Sequence, residues 1–201
     1  MGKTHLTTGV TSSAWTAVAL AAIGVPPGVC LIAMPVGAYA ALLPDLDHPK
    51  SIATYSVPPL TNIVSWIIRQ YTPHRGFTHT PAGAVAMALT LTLPLAFVGG
   101  VIGSYWWAFT ISIAVGCLTH DWGDMRTTGG LPKRRRDGRF AGRRTIGRTF
   151  DVNSDREHAL RAAVYRPAAI ASVIAALIAV STPGGPLGLV DAIRTAVERS
   201  S

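Results

Sequence analysis

The chain has 201 residues, of which 49% are apolar and only 14% charged, where an ordinary soluble domain carries about 25% charged residues. So little polar surface argues against a dispersed soluble globule and for a lipid environment. The formal charge of +8 invites an acidic partner, yet ten of the eighteen Lys and Arg residues lie between Arg126 and Arg156, so the charge is local.

In chain order, apolar segments run over 8–25, 29–43, 57–68, 82–98, 101–118 and 167–182. A spanning helix needs about 20 residues, with about 17 as the floor. The segments 82–98 and 101–118 meet that length, and 8–25 meets it if its Thr and Ser residues face other helices. Segment 29–43 is short. Segment 57–68, preceded by Pro58 and Pro59, is too short to cross and is predicted to be an interfacial or re-entrant helix. The opening "MGKTHLTTGVTSSAWTAVALAAIGV" has the lysine and apolar stretch of a signal peptide but no small-residue cleavage site before a soluble chain, so an uncleaved first helix is expected. Cys30 and Cys117 lie inside apolar runs and are read as small hydrophobes, with no disulfide.

Residues 119–157, with "GGLPKRRRDGRFAGRRTIGR", form the one long polar stretch and are expected to be an extended or partly disordered loop. After "STPGGP", the tail "LVDAIRTAVERS" reads as a short amphipathic helix. The expected organisation is a membrane-embedded domain over 1–182, carrying a basic cytoplasmic loop at 126–157, followed by the tail 183–201. The expected fold class is all-α: a polytopic membrane helical bundle of about five spans plus a short interfacial helix.

Counting crossings places the polar motifs. A hairpin of 8–25 with 29–43 brings His5 and Asp45 to one side. If 57–68 does not cross, His74 and His79 stay there, and a second hairpin returns the chain to that side at His120. Sixteen of the eighteen Lys and Arg fall on the same side, all but Arg194 and Arg199. By the positive-inside rule this face is cytoplasmic, so the chain is expected to be a multi-pass protein of a bacterial cytoplasmic (inner) membrane.

Five of the six histidines, His5, His48, His74, His79 and His120, fall at the ends of apolar segments on that face, beside Asp45, Asp47, Asp121 and Asp124. Singly, each has a bland reading as a cap or a hydrogen-bonded core residue. Together they are costly near a membrane unless paired or coordinated, and a divalent metal would satisfy them all. His120 and Asp124, four apart, lie about 40° apart on one helical face and can grip one ion; Asp121 points elsewhere, as an outer partner or cap. In "PDLDHP" the prolines favour extended geometry, which would project Asp45 and Asp47 to the same side, toward one or two ions, with His48 facing away or acting at a remove. In "HRGFTHT", Pro73 and Gly76 suggest a loop entering a helix near Thr78, so that one of His74 and His79 could bind metal while the other bonds a substrate or a carboxylate. Arg75 reads as a phosphate clamp or as a topology anchor. A mixed His and Asp set suits Zn, Mn or Fe better than Ca or Mg, and its size leaves room for one or two ions. A closed structural zinc site would use cysteines, so the set looks catalytic.

The order His5, "LLPDLDHPKS", "HRGFTHT", then "HDWGD" followed by "TTGGLP", resembles the YdjM-like membrane-bound metal-dependent hydrolases, a LexA-regulated inner-membrane group, over about residues 5 to 132. That group is in turn similar to the zinc-dependent phospholipase C and P1 nuclease superfamily. The resemblance implies that His5, Asp45, His79, His120 and Asp124 are metal ligands, with Asp47, His48 and His74 in or near the same site. After Pro132 the chain departs from the pattern, with "KRRRDGRFAGRRTIGR" where an apolar, Trp-containing continuation is expected.

The expected function is therefore hydrolysis of a phosphoester, such as a phospholipid headgroup, by a metal-activated water at the cytoplasmic membrane face. Asp47 or Asp45 would be the base, His74 a partner of substrate or carboxylate, and Arg75 or the basic loop the stabiliser of phosphoryl charge. Two other classes compete. A metal carrier or sensor would place ionisable groups mid-span, whereas here they sit at span ends. An anchored binder of anionic lipid or nucleic acid would use the loop 133–148; anionic lipid gains about 1 kcal/mol per basic residue, but Phe140 alone interleaves with the arginines, so nucleic-acid stacking is poorly provided. The pair His120 and Asp121 is also similar to the HD phosphohydrolases, whose other spaced ligands are missing.

Overall fold

The computed structural model describes residues 2–134, 140–146 and 149–200, whose regular elements are helices, one small β-hairpin and an isolated bridge between Thr127 and Phe150. Helices α1 (Gly2–Ala22) and α2 (Pro27–Ala40) pack side by side across a short turn. Two 3-10 turns, Leu43–Asp47 and Ala53–Tyr55, lead into α3 (Leu60–Tyr71). A further 3-10 turn, Phe77–His79, precedes α4 (Pro81–Thr92), which ends in another at Leu93–Phe97. Then come α5 (Gly100–Ser104) and α6 (Trp106–Met125). The hairpin pairs β1 (Leu131–Arg134) antiparallel with β2 (Phe140–Arg144), and the chain closes with α7 (Asp155–Leu160), a π-turn Arg161–Tyr165, α8 (Arg166–Ser181) and α9 (Gly185–Ser200).

Small residues set the helix spacing. A Cβ on Gly116 of α6 would land on the carbonyl oxygen of Gly37 in α2, and one on Gly37 would press on Ser112 and Ser13, so α2 and α6 meet backbone to backbone. Around this crossing, Ala17, Leu20, Val29, Cys30, Ala33, Ala108, Phe109 and Val180 form the main buried cluster. The hydroxyls of α1 turn back on their own helix, Thr7 to the Lys3 carbonyl at 2.7 Å and Thr16 to that of Ser12 at 2.9 Å, which satisfies polar groups in an otherwise apolar setting. Helix α4 starts at Pro81, a few residues past the expected entry near Thr78, because Phe77–His79 forms a 3-10 turn first; Thr80 accepts from the Gly83 amide at 3.0 Å, a side-chain cap on a proline-led first turn.

Three local expectations change. Residues 119–125 belong to α6 rather than to a polar loop, because His120, Asp121 and Asp124 are buried against other helices instead of solvated. The "LPDLD" segment is a 3-10 turn, not extended chain; Pro44 occupies its first turn, where a missing N–H costs nothing. The polar stretch holds a β-hairpin with register Leu131 to Arg144 and Lys133 to Ala141; the rest of the expected loop at 135–139 and 147–148 lies outside the described residues.

Among the described residues one continuous helix, Asp155–Ser181, is both long and apolar enough to cross a bilayer; Pro27–Ala40 and Pro81–Phe97 are apolar but shorter. Helix length alone therefore does not carry a count of five spans. In α1 the reason is composition: Thr4, Thr7, Thr8, Thr11, Ser12, Ser13 and Thr16 dilute its hydropathy.

Candidate metal centre

Four helix ends converge on one point. His5 comes from the start of α1, Asp45 from the 3-10 turn after α2, His79 from the turn before α4, and His120 and Asp124 from the last turns of α6. His79 Nε2 lies 3.2 Å from His120 Nε2, 3.9 Å from Asp45 Oδ1 and 3.6 Å from Asp124 Oδ2. His120 Nε2 lies 3.6 Å from Asp45 Oδ1 and 3.9 Å from Asp124 Oδ2. A tetrahedral ion with bonds of about 2.1 Å has donor-to-donor edges of about 3.4 Å, so these spacings fit one ion.

Each imidazole is aimed by its other nitrogen. His120 Nδ1 is 2.8 Å from the Ala41 carbonyl oxygen, which can only accept, so Nδ1 carries the proton and Nε2 presents a lone pair. His79 Nδ1 is 3.2 Å from Asp47 Oδ2, which fixes the same tautomer. In their neutral forms two lone pairs then face each other, an arrangement that a cation between them relieves. Asp124 Oδ2 makes the same demand: it is buried without a hydrogen bond, because Arg75 Nε, 2.9 Å away, is an ion-pair partner off the hydrogen-bond line. The residues therefore fit a bound divalent ion. Two groups, Asp45, Asp47, His74 with His79 and His5, His120 with Asp124, could each hold a metal ion, and they meet at the His79–His120 contact.

Asp45 and Asp47 take different tasks, because a 3-10 turn advances about 120° per residue and separates positions two apart. Asp45 faces the two Nε2 atoms. Asp47 is buried and turned toward "HRGFTHT": its Oδ1 is 2.8 Å from His74 Nδ1, and its Oδ2 accepts from the Arg75 amide at 2.9 Å and the Thr78 hydroxyl at 2.7 Å. Burial opposes the Asp47 charge, but the bonds from His74 and His79 outweigh it and hold the carboxyl well below the usual carboxylate range. The bond to Asp47 raises the His74 pKa. Burial lowers that of His79, more than Asp47 raises it, which keeps this imidazole neutral. Arg75 reaches both carboxylates from a left-handed backbone, φ 61°, that presents its amide to Asp47 and its side chain to Asp124. Its Nη1 donates to the Gly130 carbonyl at 2.7 Å, within "TTGGLP".

His5 stacks on His120 with ring centroids 3.8 Å apart, and its Nε2 lies 3.2 Å from Asp124 Oδ1. Gly123 makes room for it, since a Cβ there would sit 2.9 Å from His5 Nδ1. His48 is set apart: its Nδ1 accepts from the Lys50 amide at 3.2 Å and its ring packs edge-on against His74. Asp121 is buried on α6 with neither oxygen hydrogen-bonded among the described residues. The motif reading passed over Thr78, the Ala41 carbonyl and Gly123, which bear no ligand chemistry; only their contacts mark them.

The family model described as YdjM inner membrane protein matches residues 1–134. This chain belongs to the YdjM inner membrane protein family. No curated protein and no solved structure matches it. The family segment contains every residue of the cage, from His5 to Asp124, together with Arg75 and the "TTGGLP" turn that supports it. It stops at the first hairpin strand. The cage opens into a cavity of about 600 Å³ whose lining includes His5, Asp45 and Asp124 from within the family segment and Val152, Asn153, His158 and Arg161 from beyond it.

Proposed function

We propose that this chain is a multi-pass inner-membrane hydrolase of phosphoesters, working with a divalent metal, zinc being the best match, at the cytoplasmic ends of its helices. The observation that carries this reading is the cage itself: two imidazole nitrogens 3.2 Å apart, each 3.6 to 3.9 Å from an oxygen of Asp45 and an oxygen of Asp124, on the floor of an open cavity. A closed structural site would have no such opening.

His79, His120, Asp45 and Asp124 would hold the ion, with His5 stacked on His120 and bonded to Asp124. A divalent ion there would polarise a phosphoryl oxygen and lower the pKa of water from 15.7 to about 7. The chain supplies the rest. Arg75, tied to Asp124 and Gly130, points a fixed guanidinium into the cavity, where it can neutralise charge on a phosphoryl oxygen. His74 lines the cavity with Asp47 behind its Nδ1, the arrangement of an orienting carboxylate and a proton-carrying imidazole; protonated, His74 can give its Nε2 proton to a leaving alkoxide. Asp47 has both oxygens engaged and acts as a positioning residue for His74 and His79. Asp45, facing both the cage and the cavity, is the carboxylate placed to take a proton from attacking water.

The test is elemental analysis of the purified protein and of His120→Ala and Asp124→Ala, followed by assay on phosphomonoesters, phosphodiesters and phospholipids with added zinc or manganese. The expected result is stoichiometric metal in the wild type, little in the variants, and turnover only in the former. Equal metal in all three, or none in any, would sink the assignment. Metal without turnover of any of these substrates would instead favour a carrier or sensor. For orientation, protease cleavage within 130–145 is expected only from the cytoplasmic side of the membrane.

A further inference from the structure

The cavity above the cage has a lopsided charge inventory. Its cations are Lys3, Lys50, Arg75 and Arg161, and its carboxylates are Asp45 and Asp124, both committed to the cage. Arg75 is answered by Asp124 at 2.9 Å. Lys3 and Lys50 are exposed and have no carboxylate within ion-pair distance among the described residues. Like charges sharing one cavity repel unless an anion enters, and a bound divalent ion on the floor would add to the same sign.

Part of the lining, Val152, Asn153, His158 and Arg161, comes from beyond the family segment. Glu157, fully buried, accepts from the Thr4 hydroxyl and, at 2.6 Å, from the Asn153 amide, which locks the start of α7 onto the start of α1. The lock sets Arg161 Nη1 3.4 Å from Thr4 Oγ1 and 3.7 Å from Glu157 Oε1, and Lys3 and His158 line the same cavity. Arg161 is thus anchored along one edge, leaving other N–H groups of the guanidinium for a ligand. A single phosphate would fill only part of about 600 Å³.

We propose that Lys3, Lys50 and Arg161, with His158, form a second anion subsite, so that the substrate is a phosphoester bearing a further anionic group on the alcohol side of the bond. The inference rests on the hydrolase reading for the word substrate, but the subsite itself does not need turnover. It makes residues 152–161, outside the family match, the specificity-determining wall of this chain.

The experiment compares two probes, propyl phosphate and propane-1,3-bisphosphate, binding to the purified full-length protein by calorimetry, with metal content measured alongside. The wild type is expected to bind the bisphosphate at least tenfold more tightly. Arg161→Gln and Lys50→Gln are each expected to remove most of that preference, with unchanged metal content and little change for propyl phosphate. Lys50 is exposed, so its variant stands even if Arg161→Gln loosens α7. No preference in the wild type, or equal weakening of both probes in the two variants, would overturn the subsite. A preserved preference in protein that binds no metal would instead overturn the hydrolase reading and leave the subsite standing.

Discussion

The floor and the rim of the cavity are polar in opposite ways. On the floor, His5, His120 and Asp124 are almost wholly buried, and both His79 and His120 have one nitrogen held by a fixed acceptor. On the rim, Lys3, Lys50 and His158 are exposed, and the two lysines have no carboxylate within ion-pair distance among the described residues. Burial explains the difference. A buried imidazole or carboxylate is costly wherever an atom lacks a counterpart, and His5 Nδ1 and Asp124 Oδ2 lack a hydrogen bond among the described residues, so the floor is a place that a cation would complete. A solvated ammonium bears no such demand, so the rim can be tuned to a ligand without disturbing the floor.

Perturbing each region should move one property and spare the other. The largest effect is expected from Asp47→Asn, which leaves His79, His120, Asp45 and Asp124 in place but removes the carboxylate behind His79: metal affinity should fall about 10- to 100-fold, read by competition with a chelator. A similar loss of bisphosphate preference would mean that floor and rim are not separable. Next is Gly116→Val, which presses a side chain onto the Gly37 carbonyl. Overpacking there should cost about 1–3 kcal/mol in thermal unfolding and loosen the metal by shifting His120, one turn further along.

Thr4→Val tests the other wall. It deprives buried Glu157 of a donor at a cost of about 1–2 kcal/mol and should reduce bisphosphate preference with metal content unchanged. The smallest effect is a pH dependence. Because its folded-state pKa is raised, the His74 bond to Asp47 contributes fully below about pH 6.5 and fades as pH rises through the higher folded value, while Asp47 stays ionised throughout. In metal-depleted protein, the drop in melting temperature caused by His74→Ala should therefore be larger at pH 6 than at pH 9. An equal drop at both would show that His74 contributes packing rather than charge.

How much of this was legible depends on the range of each contact. The spacing of His120 and Asp124 places them on one helical face, and His120 Nε2 lies 3.9 Å from Asp124 Oδ2, because four residues of helix leave little freedom. The "PDLDHP" motif announces its chemistry but not its division of labour. Asp45 and Asp47 look like a matched pair on paper, and it is the 3-10 turn that sends one to the cage and the other to His74 and Thr78. His158, Asn153 and Arg161 carry no local mark, since the bond that brings them to the cavity joins positions 153 residues apart.

By itself the sequence determined which groups needed one another: imidazoles and carboxylates at the ends of apolar stretches have no cheap solitary state, so their chemistry could be read before their positions were known. Only the tertiary structure decided who touches whom. The backbone-to-backbone crossing at Gly37 and Gly116, the turn at Pro44 and the lock between Thr4 and Glu157 set distances of a few ångströms, and those arise from packing between segments that no local pattern encodes.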